Sequence, residues 1–389
     1  MPSRSKSKQP TIAITLNTAW NIYNFRLGLV RALLAEGYRV LAIAPPDDRV
    51  AAIEATGCVF IPLEELNRKS TNPLQDLCLL RALYRIYQKE EVDLALHYTI
   101  KPVIYGTLAA RWVGAKTINT LTGLGYAFMS RSPMYYLVST LYRTALRFAD
   151  QVWFQNPDDR QLFLQKKLVE AHKTDVVPGS GINLEVFKPR AKQRQDTAFR
   201  FLFIGRLLTD KGILELAEAA ARVRATHPAC EVHVLGVLDV GNPAAIRHEQ
   251  LAAWRAAGTL IYHEPTTDVR PHIQEADVLV LPSYREGLPR VMLEGLAMAK
   301  PLITTDVPGC RETVQDGVNG YLVPVKNAEA LAAAMLKMTQ LPAEELARMG
   351  EAGLRLAQSR FAENLIVAKY LAAIRQLLGQ EAVVLEEIA

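Results

Sequence analysis

The chain has 389 residues, half of them hydrophobic, with a formal net charge of +5 and four cysteines. That length and composition bound it at two or three domains with sizeable cores. Cys58, Cys78, Cys230 and Cys310 are scattered, with no C-x-x-C pair or histidine cluster beside them. This spacing excludes a zinc site or a disulfide framework and points to a reducing compartment.

No apolar run is long enough to span a bilayer. Residues 1–10 are basic, but no long apolar stretch follows Met1-Pro-Ser-Arg4-Ser-Lys6, so the segment reads as a disordered lead-in rather than a secretory signal. The charge is uneven, +8 over residues 1–190 and −3 over the remainder. A basic first half suits an anionic partner such as a membrane surface or a diphosphate. There is no RNP motif, zinc finger or Arg-rich helix to suggest nucleic acid.

In chain order, Thr11–Leu16 reads as a buried strand and Asn24–Glu36 as a helix closed by Gly37. Arg39–Ala44 is a strand stopped by Pro45-Pro46, Cys58–Pro62 a third strand, and Gln75–Lys89 a helix. Asp93–Tyr98, Thr117–Thr120, Gln151–Gln155 and Asp175–Val177 are further strands. Such alternation implies βα units around a parallel sheet. The polar stretch Lys188–Thr197 breaks the pattern and reads as the linker.

The alternation then restarts. Phe199–Ile204 is a strand, Ile213–Thr226 a helix, Glu231–Leu235 a strand, Ala244–Ala257 a helix and Leu260–His263 a strand. Val278–Pro282, Leu302–Thr305 and Tyr321–Val323 are later strands, with helix from Ala328 onward. The domains expected are residues 11–190 and 191–365, each α/β, with residues 366–389 a C-terminal helix packing back on the first.

The run Glu286-Gly-Leu-Pro-Arg-Val-Met-Leu-Glu294 is the most informative segment. Two carboxylates bracket a loop that turns into a helix, whose unpaired N–H groups and positive dipole end suit a phosphate. Pro289 suits the first helical turn and Gly287 a sharp approach. Gly205-Arg206-Leu-Leu-Thr-Asp-Lys211-Gly212 follows a strand directly and places two cations at one sheet edge, where a diphosphate leaving group could be met. Gly179-Ser-Gly181 reads as an interdomain turn. His97 falls at a strand end, on the ligand side of an α/β domain. Thr120-Leu-Thr122-Gly123-Leu-Gly125-Tyr126 could line a pocket. Arg131–Ala149 mixes aromatic and apolar residues with Arg131, Arg143 and Arg147, as an interfacial helix does. No D-x-D triplet is present to hold a cation on a diphosphate.

Together these segments resemble the retaining nucleotide-sugar glycosyltransferases of glycosyltransferase family 4. The resemblance is most specific from Leu281-Pro-Ser-Tyr-Arg-Glu286-Gly-Leu-Pro through Pro308-Gly-Cys-Arg-Glu312 to Gly317-Val-Asn-Gly320. Ile100 to Phe128, with Thr-Ile-Lys101-Pro and Thr-Gly-Leu-Gly-Tyr, is similar to the subgroup that builds cell-surface polysaccharides, O-antigens and lipid-linked oligosaccharides.

The resemblance implies a GT-B fold, two Rossmann-like parallel-sheet domains facing across a cleft. It implies transfer of a hexose or N-acetylhexosamine from a UDP-sugar to a polyprenyl-diphosphate-linked saccharide at the cytoplasmic face of the membrane. No metal or other cofactor is implied. Arg206 and Lys211 would bind the donor diphosphate and Glu286 the donor-sugar hydroxyls. Glu294 would bind the ribose, the amides near Leu288 to Arg290 would cap a phosphate, and Gly205, Gly287 and Pro289 would line the same donor site. His263 would lie near the base. Lys101, Thr122 and Gly123 would serve the acceptor, and His97 stands in for a catalytic-side histidine that relatives carry where Thr120 or Thr122 stands. The paired glycines of the first loop are replaced by Asn17-Thr-Ala-Trp20-Asn21. The alternatives are a UDP-N-acetylhexosamine epimerase of the same fold and a non-catalytic nucleotide-sugar-binding subunit.

Overall fold

The computed structural model describes residues 9–67, 70–124, 133–239 and 241–380. Most of the N-terminal lead-in, Gly125 and Tyr126, Arg131, and the last nine residues of the expected C-terminal helix lie outside them. The chain divides into two compact units, residues 1–180 with 364–389, and residues 181–363.

The first unit is built on seven parallel strands: β1 (Thr11–Thr15), β2 (Arg39–Ala44), β3 (Val59–Pro62), β4 (Leu94–Tyr98), β5 (Lys116–Leu121), β6 (Gln151–Phe154) and β7 (Thr174–Val176). Their order is β3-β2-β1-β4-β5-β6-β7. The strands β1 and β4 are buried at every position, as a sheet covered on both faces demands, and their near-continuous apolar runs are the sequence sign of it. Helices α1 (Ala19–Ala35) and α13 (Glu363–Leu377) cover one face, where Leu29, Val30, Ile366, Tyr370 and Ile374 meet Ile12 and Ile14. The C-terminal helix therefore completes the core of the N-terminal unit. Helices α3 (Pro73–Lys89), α4 (Thr107–Val113) and α5 (Pro133–Leu146) cover the other face.

The second unit has six parallel strands: β8 (Phe199–Ile204), β9 (Cys230–Leu235), β10 (Ile261–His263), β11 (Val278–Leu281), β12 (Leu302–Thr305) and β13 (Gly320–Val323). They run in the order β10-β9-β8-β11-β12-β13. One core joins the sheet to α7 (Ile213–Thr226), α10 (Arg290–Ala297), α11 (Ala328–Thr339) and α12 (Ala343–Leu356). Both sheets reverse strand order at one place, between β1 and β4 and between β8 and β11. In open α/β sheets ligands bind beyond the strand carboxyl ends at that point.

Two boundaries differ from expectation. The division falls at 180/181, in the Gly179-Ser-Gly181 turn, where both glycines take positive φ. The stretch Lys188–Thr197 is not a linker, because Arg194 pairs with Asp277 at 2.6 Å and the Gln193 and Arg194 amides donate to the Glu275 carboxylate. Polar composition concealed that anchoring. The helix expected at Ala244 begins at His248 as α8 (His248–Ala256), since the backbone of Ala244 and Ile246 instead pairs with Thr209 and Leu207. Helix α6 (Pro157–Gln165) was concealed by Pro157, which sits in its first turn behind the Asn156 cap.

Candidate functional site in the C-terminal unit

Three loops meet at the carboxyl edge of the second sheet, at the β8/β11 switch point. The first, Gly205–Lys211, is tied by Gly205 N–H to Leu235 O at 3.0 Å, Leu207 N–H to Val237 O at 2.9 Å, and Thr209 N–H to Ala244 O at 2.8 Å. It ends in Gly212 at φ +72, where a β-carbon would overlap the Pro282 carbonyl. The second, Pro282–Pro289, is held to the first by the Tyr284 amide on Asp210 O at 2.9 Å and the Tyr284 hydroxyl on Glu215 at 2.7 Å. The third carries Gly309 at φ +83, packed on the backbone of Glu286 and Gly287, and the Glu286 amide donates to Pro308 O at 3.1 Å. Glycine is required at 212 and 309 because backbone touches backbone there.

On this frame Lys211 forms an ion pair with Glu286, and the Ser283 hydroxyl donates to the same Oε1 atom at 2.7 Å. Both charged side chains are mostly buried. Arg206 stands apart from them, half-exposed, with Asp239 at 3.5 Å. Helix α10 starts immediately after the second loop and no side chain caps its N-terminus. Its dipole therefore favours negative charge at the edge where Lys211 already stands. Arg290, the first residue of the helix, donates to Glu294 one turn further on at 3.2 Å and to Gly181 O at 3.2 Å.

Comparison with known proteins agrees with this architecture. Residues 198–340 match the family model described as glycosyl transferases group 1, and residues 12–156 that of glycosyl transferase 4-like proteins. The chain belongs to this glycosyltransferase family. Its fold is GT-B: a glycosyltransferase structure from Rickettsia africae superposes with a TM-score of 0.78 at 21% identity, over 96% of this chain and all of that one. The N,N'-diacetylbacillosaminyl-diphospho-undecaprenol alpha-1,3-N-acetylgalactosaminyltransferase of Campylobacter jejuni is 27% identical over 90% of this chain and 94% of its own. The UDP-Gal:alpha-D-GlcNAc-diphosphoundecaprenol alpha-1,3-galactosyltransferase of Escherichia coli is 23% identical over 68% and 71%.

In this glycosyltransferase Lys211, Glu286, Gly287, Leu288, Pro289 and Arg290 come together around the start of α10, with Glu294 more than a turn inside. Pro289 is the cap residue itself and not the first helical one. Burial pushes the Glu294 carboxyl up to about 7, against the Arg290 guanidinium. A raised carboxyl holds its proton more tightly folded than unfolded. Its destabilising effect is absent below about pH 4.5, builds between that pH and about 7, and is complete above 7. Glu294→Gln should therefore melt higher than the parent at pH 8 and at the same temperature as the parent at pH 4.5. Thermal denaturation at the two pH values checks this, and a variant that melts lower at pH 8 contradicts it.

His263 lies elsewhere. It ends β10, which β9 separates from β8. Its Nε2 faces His233 Nδ1 at 2.8 Å, and its ring packs edge-on against His272. Burial first, and then His233, His272 and Arg200 around it, push it down to about 4.

His97 is a correction. The strand ends at Tyr98, as expected, but the imidazole is fully buried inside the domain and not at its edge. It meets Asn119 at 2.8 Å and the Tyr87 hydroxyl at 3.0 Å, and burial lowers it to about 4. Gly106 packs so closely on the ring that a β-carbon would overlap it.

In the N-terminal unit Lys101 pairs with Asp76 at 2.6 Å, whose other oxygen accepts from Tyr105. Thr122 and Gly123 follow β5 half-buried, Gly123 at φ +113. The sequence reading missed Ser283, Asp239, Gly236 and Gly309. Gly236 packs on the Gly205 carbonyl, so the glycine needed for close approach is 236. Its signal was a lone glycine directly after a strand, as at 205.

Proposed function

We propose that the protein transfers a hexose or N-acetylhexosamine from a UDP-sugar to a saccharide carried on a polyprenyl diphosphate, with retention at the anomeric carbon and without a metal ion. The carrying observation is the Lys211–Glu286–Ser283 group beside the uncapped start of α10. It supplies a cation, a carboxylate for sugar hydroxyls, and amides for a phosphate within one edge. The two relatives named above, both named for acceptors on a diphospho-undecaprenol, support the acceptor class.

In the reaction the bond from the anomeric carbon to the β-phosphate oxygen breaks and one to the acceptor oxygen forms on the same face. The acceptor proton passes to the departing phosphate oxygen, leaving UDP. Lys211 and Arg206 stabilise the negative charge that develops on the diphosphate, and Glu286 orients the sugar. Glu294 accepts from a ribose hydroxyl. The testing experiment is a thermal-shift screen of UDP- and GDP-sugars followed by transfer to a synthetic polyprenyl-diphosphate sugar. Stabilisation by UDP-sugars with transfer to that acceptor is expected. Donor turnover without acceptor points to the epimerase reading, and donor binding without turnover to a binding subunit.

A lipid-diphosphate acceptor supports the reading that the enzyme acts at the cytoplasmic face of a membrane. Among the described residues no helix is long and apolar enough to cross one. Residues 94–149 contain six Lys or Arg and no acidic residue. On α4 and α5 Trp112, Tyr136 and Leu137 are each more than half exposed, and the Arg111 guanidinium lies 5.9 Å from the Phe148 ring. Apolar rings among arginines suit an anionic lipid interface. The double variant Tyr136→Ser, Leu137→Ser should lower partition onto anionic vesicles roughly tenfold, each buried CH₂ contributing about 0.8 kcal/mol. Unchanged sedimentation with such vesicles contradicts this docking face.

A further inference from the structure

Arg26, on α1, is the most deeply buried guanidinium among the described residues, with 3% of its surface exposed. Its neighbours in kind all have acceptors: Arg39 has Glu90, Arg194 has Asp277, Arg200 has Glu231 and Arg290 has Glu294. Arg26 has none. Its Nε is buried without a hydrogen-bond partner, and its recorded contact is the face of Tyr98, 4.1 Å from the ring centroid. A buried guanidinium N–H without an acceptor costs free energy that the cation–π contact, about 2 kcal/mol, offsets only in part.

The place of this charge matters. Tyr98 is the last residue of β4, so the guanidinium lies at the strand carboxyl end, at the β1/β4 switch point. The Cα–Cβ bond of a helical residue tilts toward the helix start, here toward the same edge. The usual anion receptor at such an edge, the N-terminus of the first helix, is already filled. The Ala19 amide donates to Pro45 O at 3.2 Å, that of Trp20 to the Asp47 carboxylate at 2.7 Å, and that of Asn21 to the Thr18 hydroxyl at 3.1 Å. The segment Asn17–Asn21 thus closes the amide site. One cation at that edge is left without an anion.

We propose that Arg26 is the counter-charge for an oxyanion of the acceptor, a phosphate or a carboxylate, bound at the switch point of the N-terminal unit, with the Tyr98 ring holding the guanidinium plane. The proposal rests on the acceptor reading above only for what carries the oxyanion.

The test has a binding arm and a kinetic arm, on the full chain and on Arg26→Met and Arg26→Lys. Calorimetric titrations with inorganic diphosphate and with glucuronate need no turnover. The wild type is expected to show a binding event for at least one of the two that Arg26→Met loses and Arg26→Lys keeps in weakened form. In transfer assays Arg26→Met should raise the KM for a diphosphate-linked acceptor at least tenfold. The same neutral saccharide on an uncharged alkyl chain should be unaffected, as should the KM for donor. Which anion binds tells phosphate from carboxylate. Arg26→Met should also melt no lower than the wild type, because it removes an unpaired charge. Identical titrations for wild type and Arg26→Met, or an equal loss with charged and uncharged acceptors, overturns the proposal. If no transfer is found with any lipid-linked acceptor but the titrations differ as stated, the acceptor reading fails while the Arg26 site stands.

Discussion

Lys211→Ala should lower kcat/KM by two to three orders of magnitude, a barrier increase of roughly 2.7–4 kcal/mol by analogy with loss of one oxyanion-hole donor. Lys211 is mostly buried and pairs with Glu286, so its charge acts in a poorly screened place. The fold should survive, because Glu286 keeps the Ser283 hydroxyl as a donor and its amide keeps Pro308 O. Arg206→Ala should also slow turnover, but less, since that guanidinium is half-exposed and only 3.5 Å from Asp239. Steady-state kinetics of both variants with saturating acceptor, beside their melting curves, measure this. Near-normal turnover in both contradicts the assignment of the diphosphate site.

Gly212→Ala should cost both activity and stability. The residue sits at φ +72, where a β-carbon adds about 1–2 kcal/mol of backbone strain. That carbon would also overlap the Pro282 carbonyl oxygen, a backbone atom that moves only with the end of β11 and the loop that carries Glu286. Gly317→Ala is the control. It has a similar φ, +74, but no atom within 4 Å of the added carbon, so it bears the strain without the collision. The expected outcome is a strong drop in turnover and melting temperature for Gly212→Ala. For Gly317→Ala a small loss of stability with normal turnover is expected. Equal behaviour of the two would show that the close approach of the first and second loops does not set the site.

The difference between what could be read from the chain and what could not follows from the range of the interactions. Strands such as Arg39–Ala44, Phe199–Ile204 and Leu302–Thr305 were legible to the residue, because a parallel strand covered on both faces is rich in apolar and β-branched residues and does not alternate strictly with polar ones. The Glu286–Glu294 segment was legible because loop, cap proline and helix are contiguous. Partners distant in sequence left no such trace. Ser283 and Lys211 converge on one carboxylate oxygen only once β8 and β11 are neighbours. Arg194 looks like a linker residue until Asp277 is beside it. His97 misled for the same reason. A histidine near a strand end suggests chemistry, but its ring is held in the interior by Asn119 and Tyr87, which only the folded unit brings to it.

The central claim is that the diphosphate of a nucleotide sugar lies at the β8/β11 edge of the C-terminal unit. A crystal structure of the full chain with UDP tests it most directly. The account predicts phosphate oxygens within hydrogen-bonding distance of Lys211 Nζ and of the backbone at the start of α10, with a ribose hydroxyl on Glu294. A nucleotide bound elsewhere, with Lys211 still turned onto Glu286 and no phosphate beside α10, contradicts it.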